Sequence, residues 1–354
     1  MFAQFRDWRP LNHLAGAAVL AVIALAVAGS ESALAGGGGK FVTFGVSGAQ
    51  ITYVFGGNNK GFVTGQYTDS AGVFHGYVRA PDGTITSFDP TGSVGTLPYC
   101  INDGNTIAGN YIDVQGVKHG FLRSADGTIA VFDAAPSTDT FVSSINDKGV
   151  VTGVFGPSDG EHHGFVRAAD STITEFDPSG SIDTNVASIN GKGEIAGAYV
   201  DGNRETHGFV RAAAGTITGF DAPDALDFTS AVSVNDSGVV AGIWDDEGEE
   251  QGFVRAADGT ITEFEVPKAM YTIASSINQQ GVVAGSYVLD KNIGYMKGFV
   301  RNTVGTIRTF APRGEGPYPF AQAVSINRNG SIAGWYANDK NVKHPIVRGF
   351  ISVK

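Results

Sequence analysis

Hydrophobic and polar residues alternate in short runs along most of this chain, and turn residues punctuate the runs at short intervals. Stretches such as Thr260-Ile261-Thr262-Glu263-Phe264 and Gly252-Phe253-Val254-Arg255 have the period of two and the β-branched and aromatic content of strands. No segment beyond residue 35 keeps a helical period. The runs also recur in a fixed order. Ser-Ile-Asn-Asp-Lys-Gly-Val-Val-Thr-Gly (144–153) returns as Ser-Ile-Asn-Gly-Lys-Gly-Glu-Ile-Ala-Gly (188–197) and Ser-Val-Asn-Asp-Ser-Gly-Val-Val-Ala-Gly (233–242). The asparagine of this motif stands at Asn58, Asn102, Asn146, Asn190, Asn235, Asn278 and Asn327. A second motif, His-Gly-Phe-Val-Arg, is anchored on Gly76, Gly120, Gly164, Gly208, Gly252, Gly298 and Gly349. It leads into Asp-Gly-Thr-Ile-Thr-x-Phe, which ends at Phe88, Phe132, Phe176, Phe220, Phe264 and Phe310.

Each repeat reads as four short strands, here called a to d. Strand a ends at Ser-Ile-Asn and an Asn-x-x-Gly turn follows, because glycine tolerates positive φ; Asn105 replaces that glycine once. Strand b is Val-Val-Ala-Gly-x-Tyr, strand c is Gly-Phe-Val-Arg, and strand d is Thr-Ile-Thr-Glu-Phe. Four-stranded antiparallel units about 44 residues long predict a β-propeller, here an all-β ring of seven blades. The chain ends support closure. The last repeat stops after a strand c, Arg348-Gly349-Phe350-Ile351-Ser352, while Phe41-Val42-Thr43-Phe44 is a strand d with no strand before it. The N-terminal strand is therefore expected to complete the last blade.

Composition fits this reading. Glycine supplies 50 of 354 residues, about twice the usual share of ~7%, with no triplet period, as a turn-rich β chain requires. The net charge of −11 argues against nucleic acid or an anionic membrane surface as a partner, and no stable membrane insertion is expected after signal cleavage. At the N-terminus Arg6 and Arg9 precede the uncharged stretch 14–28, and Ala33-Leu34-Ala35 follows as a small-x-small cleavage pattern. Residues 1–35 thus read as a signal peptide, too short in its apolar part to span a bilayer. Residues 36–354 read as a single propeller domain, secreted or periplasmic. Cys100 is the one cysteine, so no intramolecular disulfide forms. It occupies the place of Ser144, Ser188 and Ser276 on the innermost strand and is expected to be a small, inert buried residue.

The Ile-Asn-x-x-Gly-x-Ile-x-Gly and His-Gly-Phe motifs resemble those of the HAF-type extracellular repeat family of bacteria, with His-Gly-Phe in place of His-Ala-Phe. The resemblance covers about residues 41–354. It implies an exported bacterial protein and supplies no activity or catalytic residues.

Loop lengths point to one working face. In a meander the b–c loops and the d-to-a connections share one face, and the a–b and c–d turns share the other. The asparagine-to-strand-b-glycine interval is 7 residues in all seven repeats, so the turn face is constant in length there. The other face varies, and its long insertions fall in repeats 6 and 7. They carry Tyr295, Arg313, Tyr318, Phe320 and His344, with Trp335 at the adjacent strand end, and these six are the candidate ligand-binding residues. Three other patterns have structural explanations. His75, His119, His163 and His207 recur before strand c, too far from the axis to share a metal, and are expected to make a hydrogen bond within each blade. Asp89, Asp133, Asp177 and Asp221 follow strand d as expected turn residues. Asp69, Asp113, Asp201 and Asp246 lie in loops without the order of a strong calcium site, so calcium is the only cofactor considered and none is expected.

No nucleophile elbow, phosphate-binding glycine loop or zinc motif is present. The sequence therefore favours an exported, non-enzymatic propeller that binds a surface glycan or protein through the loops of blades 6 and 7. The alternative is a propeller lyase or hydrolase acting on an extracellular small molecule or polysaccharide. It would use His344, Arg313 or a carboxylate near the axis, and no catalytic residue can be named. Converging acids and bases near the axis would favour the enzyme; an aromatic ledge without them would favour binding.

Overall fold

A computed structural model describes residues 31–33, 40–136, 138–158, 160–246, 248–289, 296–312, 320–338 and 346–353. The repeats fold as seven antiparallel four-stranded blades. Strand a comprises Ile51–Thr52 with Gly56–Gly57, then Gly95–Ile101, Asp139–Ile145, Ser181–Ile189, Thr229–Val234, Tyr271–Ile277 and Phe320–Ile326, which define blades 1 to 7. Strand b comprises Val63–Thr68, Ile107–Ile112, Val151–Gly156, Ile195–Asp201, Val240–Asp246, Val283–Val288 and Ile332–Asn338. Strand c comprises Phe74–Arg79, Lys118–Arg123, His163–Arg167, Thr206–Arg211, Glu249–Arg255, Met296–Arg301 and Ile346–Val353. Strand d comprises Ile85–Phe88, Ile129–Phe132, Ile173–Phe176, Ile217–Phe220, Ile261–Phe264 and Ile307–Phe310. In blade 7 that place is filled by Lys40–Phe44, antiparallel to strand c.

Register confirms that closure. Phe44 pairs with Gly349 as Phe88 pairs with Gly76 and Phe132 with Gly120. The glycine is required because the phenylalanine ring lies directly over it. A Cβ on Gly164 would stand 2.8 Å from the Phe176 ring, and a Cβ on Gly349 would strike the Phe44 ring in the same way. The short strand Glu31–Ala33 pairs with Lys40–Val42 outside blade 7. The other residues of the expected signal peptide lie outside the described set. Among the described residues no helix is long and apolar enough to cross a membrane.

The conserved letters of the repeat hold neighbouring blades together. The strand-c aromatics Tyr77, Phe121, Phe165, Phe209, Phe253, Phe299 and Phe350 are fully buried, each contributing about 2–3 kcal/mol by removal from water. The strand-c arginine lies over the strand-d phenylalanine of the preceding blade: Arg123 over Phe88, Arg167 over Phe132 and Arg211 over Phe176, each 4.9 Å from the ring centre. Arg79 lies over Phe44 at 4.8 Å, so the N-terminal strand serves its neighbour as a native strand d does.

The asparagine that ends strand a is more than a turn residue. Its side-chain amide donates to the backbone carbonyl of the equivalent asparagine in the next blade. The bonds run Asn58 to Asn102 (2.9 Å), Asn102 to Asn146 (3.0 Å), Asn146 to Asn190 (3.0 Å) and Asn190 to Asn235 (2.9 Å). They continue from Asn235 to Asn278 (3.0 Å) and Asn278 to Asn327 (3.1 Å), and Asn327 closes the ring on Asn58 at 3.4 Å. The side-chain oxygen meanwhile accepts backbone N–H groups of its own turn, as Asn146 does from Lys148 and Val150. One side chain thus shapes the turn and clasps the next blade.

Candidate functional site

The inner strands touch one another in a closed circuit, so their free edges face the ring axis. Each of the uninterrupted inner strands carries a β-bulge three residues before its ring asparagine. The register slips around Tyr99, Ser143, Ala187, Val232, Ser275 and Val324. In blade 1 the inner strand is interrupted at the same place, where Phe55 stands. Opposite lies the strand-b glycine, whose Cβ would collide with a strand-a carbonyl; Gly109 would strike that of Leu97. The glycine thus permits the close approach that forms the bulge, and bulges commonly re-aim side chains at functional sites.

The bulge residues break the sevenfold symmetry. They are aromatic in blades 1 and 2 and small in blades 3, 4 and 6. Phe55 and Tyr99 join a longer aromatic row. Phe320 stacks on Trp335 with ring centres 5.1 Å apart and planes at 25°, and Trp335 meets Tyr53 edge to face at 4.9 Å. Tyr53 stacks on Phe55 at 5.9 Å, and Phe55 reaches Tyr99 at 5.8 Å. Phe320, Trp335, Tyr53 and Phe55 are half-buried and Tyr99 is buried. The row begins at the start of strand a in blade 7, where the d-to-a connection enters, and passes through blades 1 and 2. Burial raises the Tyr53 and Tyr99 phenol pKa values above normal, which keeps both neutral.

The facing sector is different. Ser143, Asn185, Ser230 and Ser275, from blades 3 to 6, are half-buried, and their side chains make no hydrogen bond among the described residues. Their neighbours one residue after the bulge are engaged: Ser188 accepts the Val234 N–H, Ser233 that of Ile277 and Ser276 that of Ile326. Over the six residues before each ring asparagine, no inner strand carries Asp, Glu, Lys, Arg or His. Charge first appears one residue earlier, at Asp139 and Asp183, and both are paired. Asp139 receives Lys118 Nζ at 3.1 Å and also binds Ser158. Burial opposes the Asp139 charge, but these bonds outweigh it and hold its pKa below normal. Asp183 lies 3.1 Å from the His162 ring and accepts the His162 N–H.

The recurrent histidines bond within their own blades, as expected, and their partners are the aspartates read as turn residues. Nδ1 of His75, His119 and His163 lies 2.7 Å from Asp89, Asp133 and Asp177, and that of His207 lies 2.8 Å from Asp221. The strand-b aromatic covers the ring, as Tyr67 covers His75 and Tyr111 covers His119. In blades 1 and 2 a second carboxylate, Asp69 or Asp113, approaches Nε2 at 3.3 or 3.2 Å. Burial opposes protonation of His75 and His119, but hydrogen bonds to both aspartates outweigh it and raise their pKa values. For His163 the bond to Asp177 is the leading cause of the rise. The groups His163–Glu175–Asp177 and Asp201–Glu205–His207 could each offer three donor atoms to one cation. They sit on the outer half of their blades, away from the axial wall.

Burial, with Asp245 beside it, lifts the Glu250 carboxyl pKa to about 7, and this residue belongs to strand c of blade 5. Burial pushes the Cys100 thiol up to about 12, and the thiol donates to the Ala108 carbonyl at 3.6 Å. A cavity of about 210 Å³ lies at the closing seam, between Ser325, Asn327 and Ser352 of blade 7 and Asn58, Phe62 and Arg79 of blade 1. It opens where the asparagine ring is longest.

Of the six residues singled out in the sequence, Phe320 and Trp335 are brought into contact; Tyr295, Arg313, Tyr318 and His344 lie outside the described residues. Sequence reasoning missed Tyr53, Phe55 and Tyr99. The detectable signal was the residue three before each ring asparagine, aromatic only in repeats 1 and 2.

No family model matches this chain, and no curated protein matches it in sequence. Solved structures do. A streptogramin B lyase is 15% identical, covering 88% of this chain and 97% of its own, with a TM-score of 0.58. A catalytically inactive virginiamycin B lyase from Staphylococcus aureus, solved with quinupristin, is 14% identical, covering 90% of this chain and 100% of its own, with a TM-score of 0.61. The β-propeller domain of the trilobed protease from Pyrococcus furiosus is 11% identical, covering 85% of this chain and 95% of its own, with a TM-score of 0.57. At these identities what is shared is the propeller fold.

Proposed function

We propose that this protein is an exported, non-enzymatic propeller that binds a surface glycan or protein on the b–c and d-to-a face. The observation that carries the reading is the aromatic row from Phe320 and Trp335 through Tyr53 and Phe55 to Tyr99. Partly exposed aromatic rings on a rigid strand framework offer large apolar faces at little entropic cost, which is how binding surfaces concentrate affinity. Tyr295, Arg313, Tyr318 and His344, from the long loops of repeats 6 and 7, belong to the same proposal. The HAF-like motifs and the signal-peptide pattern support export.

The lyase or hydrolase alternative takes its appeal from the enzymes that share the fold. Acid–base chemistry at the axis would need a group able to exchange protons near neutral pH. The inner strands supply none below their first residues, so acid and base would come from outside them, from His344 or a carboxylate near the axis, with Arg313 stabilising charge. A binding screen of the exported chain against glycans and surface proteins tests the proposal, with Tyr318→Ala/Trp335→Ala as its control. Loss of binding at an unchanged unfolding midpoint supports a site. Full binding by the double variant, or turnover of a ligand, refutes the reading.

A further inference from the structure

We infer that the ligand is an uncharged saccharide, held at the axis between the aromatic wall of blades 7, 1 and 2 and the hydroxyl and amide groups of blades 3 to 6. The inference rests on the binding reading above and narrows it. A pyranose ring has apolar C–H faces and an edge of hydroxyls, so it needs flat apolar surface on one side and hydrogen-bonding groups on the other. The aromatic row supplies the first. The second is supplied by Ser143, Asn185, Ser230 and Ser275, which have no internal partner among the described residues although adjacent serines do.

Charge selects within the class. The protein carries a net charge of −11, yet none of the six residues preceding the ring asparagine in any blade is ionisable as an acid, a lysine, an arginine or a histidine. An acidic polysaccharide would find no cation there, and its carboxylates would lose hydration without compensation. A basic peptide would find no buried anion, since Asp139 and Asp183 at the entrance already hold Lys118 and His162. A neutral sugar loses nothing on either count. The bulge adds size selection, because its residues are small in blades 3, 4 and 6 and aromatic in blades 1 and 2.

Tryptophan fluorescence can read the site. The chain has three tryptophans; Trp8 belongs to the expected signal peptide and is absent from the exported protein, so Trp244→Phe leaves Trp335 as the sole indole there. Neutral gluco-, manno-, galacto- and xylo-oligosaccharides are titrated beside oligogalacturonate and oligoalginate, and affinities are repeated by calorimetry on the unsubstituted protein. The expected result is a Trp335 response to at least one neutral oligosaccharide, unchanged between 0.05 and 0.5 M salt because no ion pair is made (roughly a threefold change in screening length). Phe55→Ser should weaken it about tenfold, the loss of one stacking partner. Should Phe55→Ser fail to fold, Ser275→Phe fills the opposite side without removing a packed ring and should abolish binding. A Trp335 response to acidic oligomers or to a protein, with none to neutral sugars, overturns the inference while leaving the aromatic site standing. Silence of Trp335 toward every member of both panels overturns the inference, and ligand binding unaffected by Trp335→Ala overturns the underlying reading as well.

Discussion

The asparagine ring offers a quantitative test of how the blades cohere. Asn146 is 5% exposed and makes three side-chain hydrogen bonds: its amide donates to the Asn190 carbonyl at 3.0 Å, and its oxygen accepts from Lys148 at 3.0 Å and Val150 at 3.1 Å. Asn146→Ala removes all three and leaves a carbonyl and two N–H groups short of a partner. At about 1 kcal/mol per bond the cost is about 3 kcal/mol. For a domain of this size, with unfolding entropy near 2.1 cal/mol/K per residue, that corresponds to a fall of about 5 °C in midpoint. Asn146→Asp separates the two roles. It keeps both turn bonds but sets a carboxylate against the Asn190 carbonyl, which raises the new acid's folded pKa. A raised folded pKa means stability that is present below the unfolded value of ~3.9 and lost as pH rises through the folded pKa. Urea unfolding of the three proteins from pH 4 to 8 should show Asn146→Asp approaching wild type toward pH 4 and falling away above it. Equal stability of Asn146→Asp and wild type at pH 8 would refute the claim that the amide clasps blade 3 to blade 4.

Further outcomes follow from the same packing. Removing residues 36–45 should destabilise the whole ring, and Phe44→Ala alone should cost about 2 kcal/mol because that half-buried ring covers Gly349 and carries Arg79; unchanged thermal unfolding of both would remove the case for closure. Arg211→Met should cost about 1 kcal/mol through loss of the cation–π contact with Phe176, read by urea midpoint against wild type. The raised pKa values of His75, His119 and His163 contribute stability that is full below about 6.5 and lost as pH rises through their folded values; His119→Gln should flatten the midpoint-versus-pH curve between pH 6 and 8. The lowered values of Asp69 and Asp113 act in the opposite sense, with stability present above about 3.9 and lost below it. Cys100, expected to be buried, is half-buried, and its thiol donates to the Ala108 carbonyl; it should react more slowly with thiol reagents in the native protein than after unfolding, and equal rates would contradict that engagement.

Much of the architecture was legible because a repeat is its own alignment. Seven copies fixed the strand boundaries, and the unmatched Phe41–Phe44 announced the closing strand. What escaped was interaction between copies. Asn146 reads locally as a turn residue, and nothing in one repeat reveals that its amide reaches Asn190. Arg167 reads as the polar end of an alternating strand, although its guanidinium lies on Phe132 of the blade before. The His–Asp pairs were closer to view: the separation of His75 from Asp89 recurs unchanged in His119–Asp133, His163–Asp177 and His207–Asp221. The candidate site was half visible. Phe320 and Trp335 drew attention through long loops, whereas Phe55 and Tyr99 sit on β-bulges, which a two-residue hydrophobic period cannot show.

A symmetric ring places its structural burden on positions that must be the same in every blade. The arginine over a strand-d phenylalanine and the asparagine at the end of strand a are such positions, because each touches a partner in the adjoining blade. A change at any of them injures two blades at once. The bulge residue is different: its backbone is unpaired, it lies on the free edge of the inner strand, and no inter-blade bond depends on its identity. It can therefore vary from Phe55 to Ser143 to Val324 without loosening the ring. Specific binding requires asymmetry, and on the inner strands that freedom is concentrated at the bulges and the residues beside them. This explains how the aromatic wall can cross from blade 7 into blades 1 and 2 although the insertions that first suggested a site lie in blades 6 and 7. Loop length records where the outer face diverged, whereas the bulges record where the axial wall did.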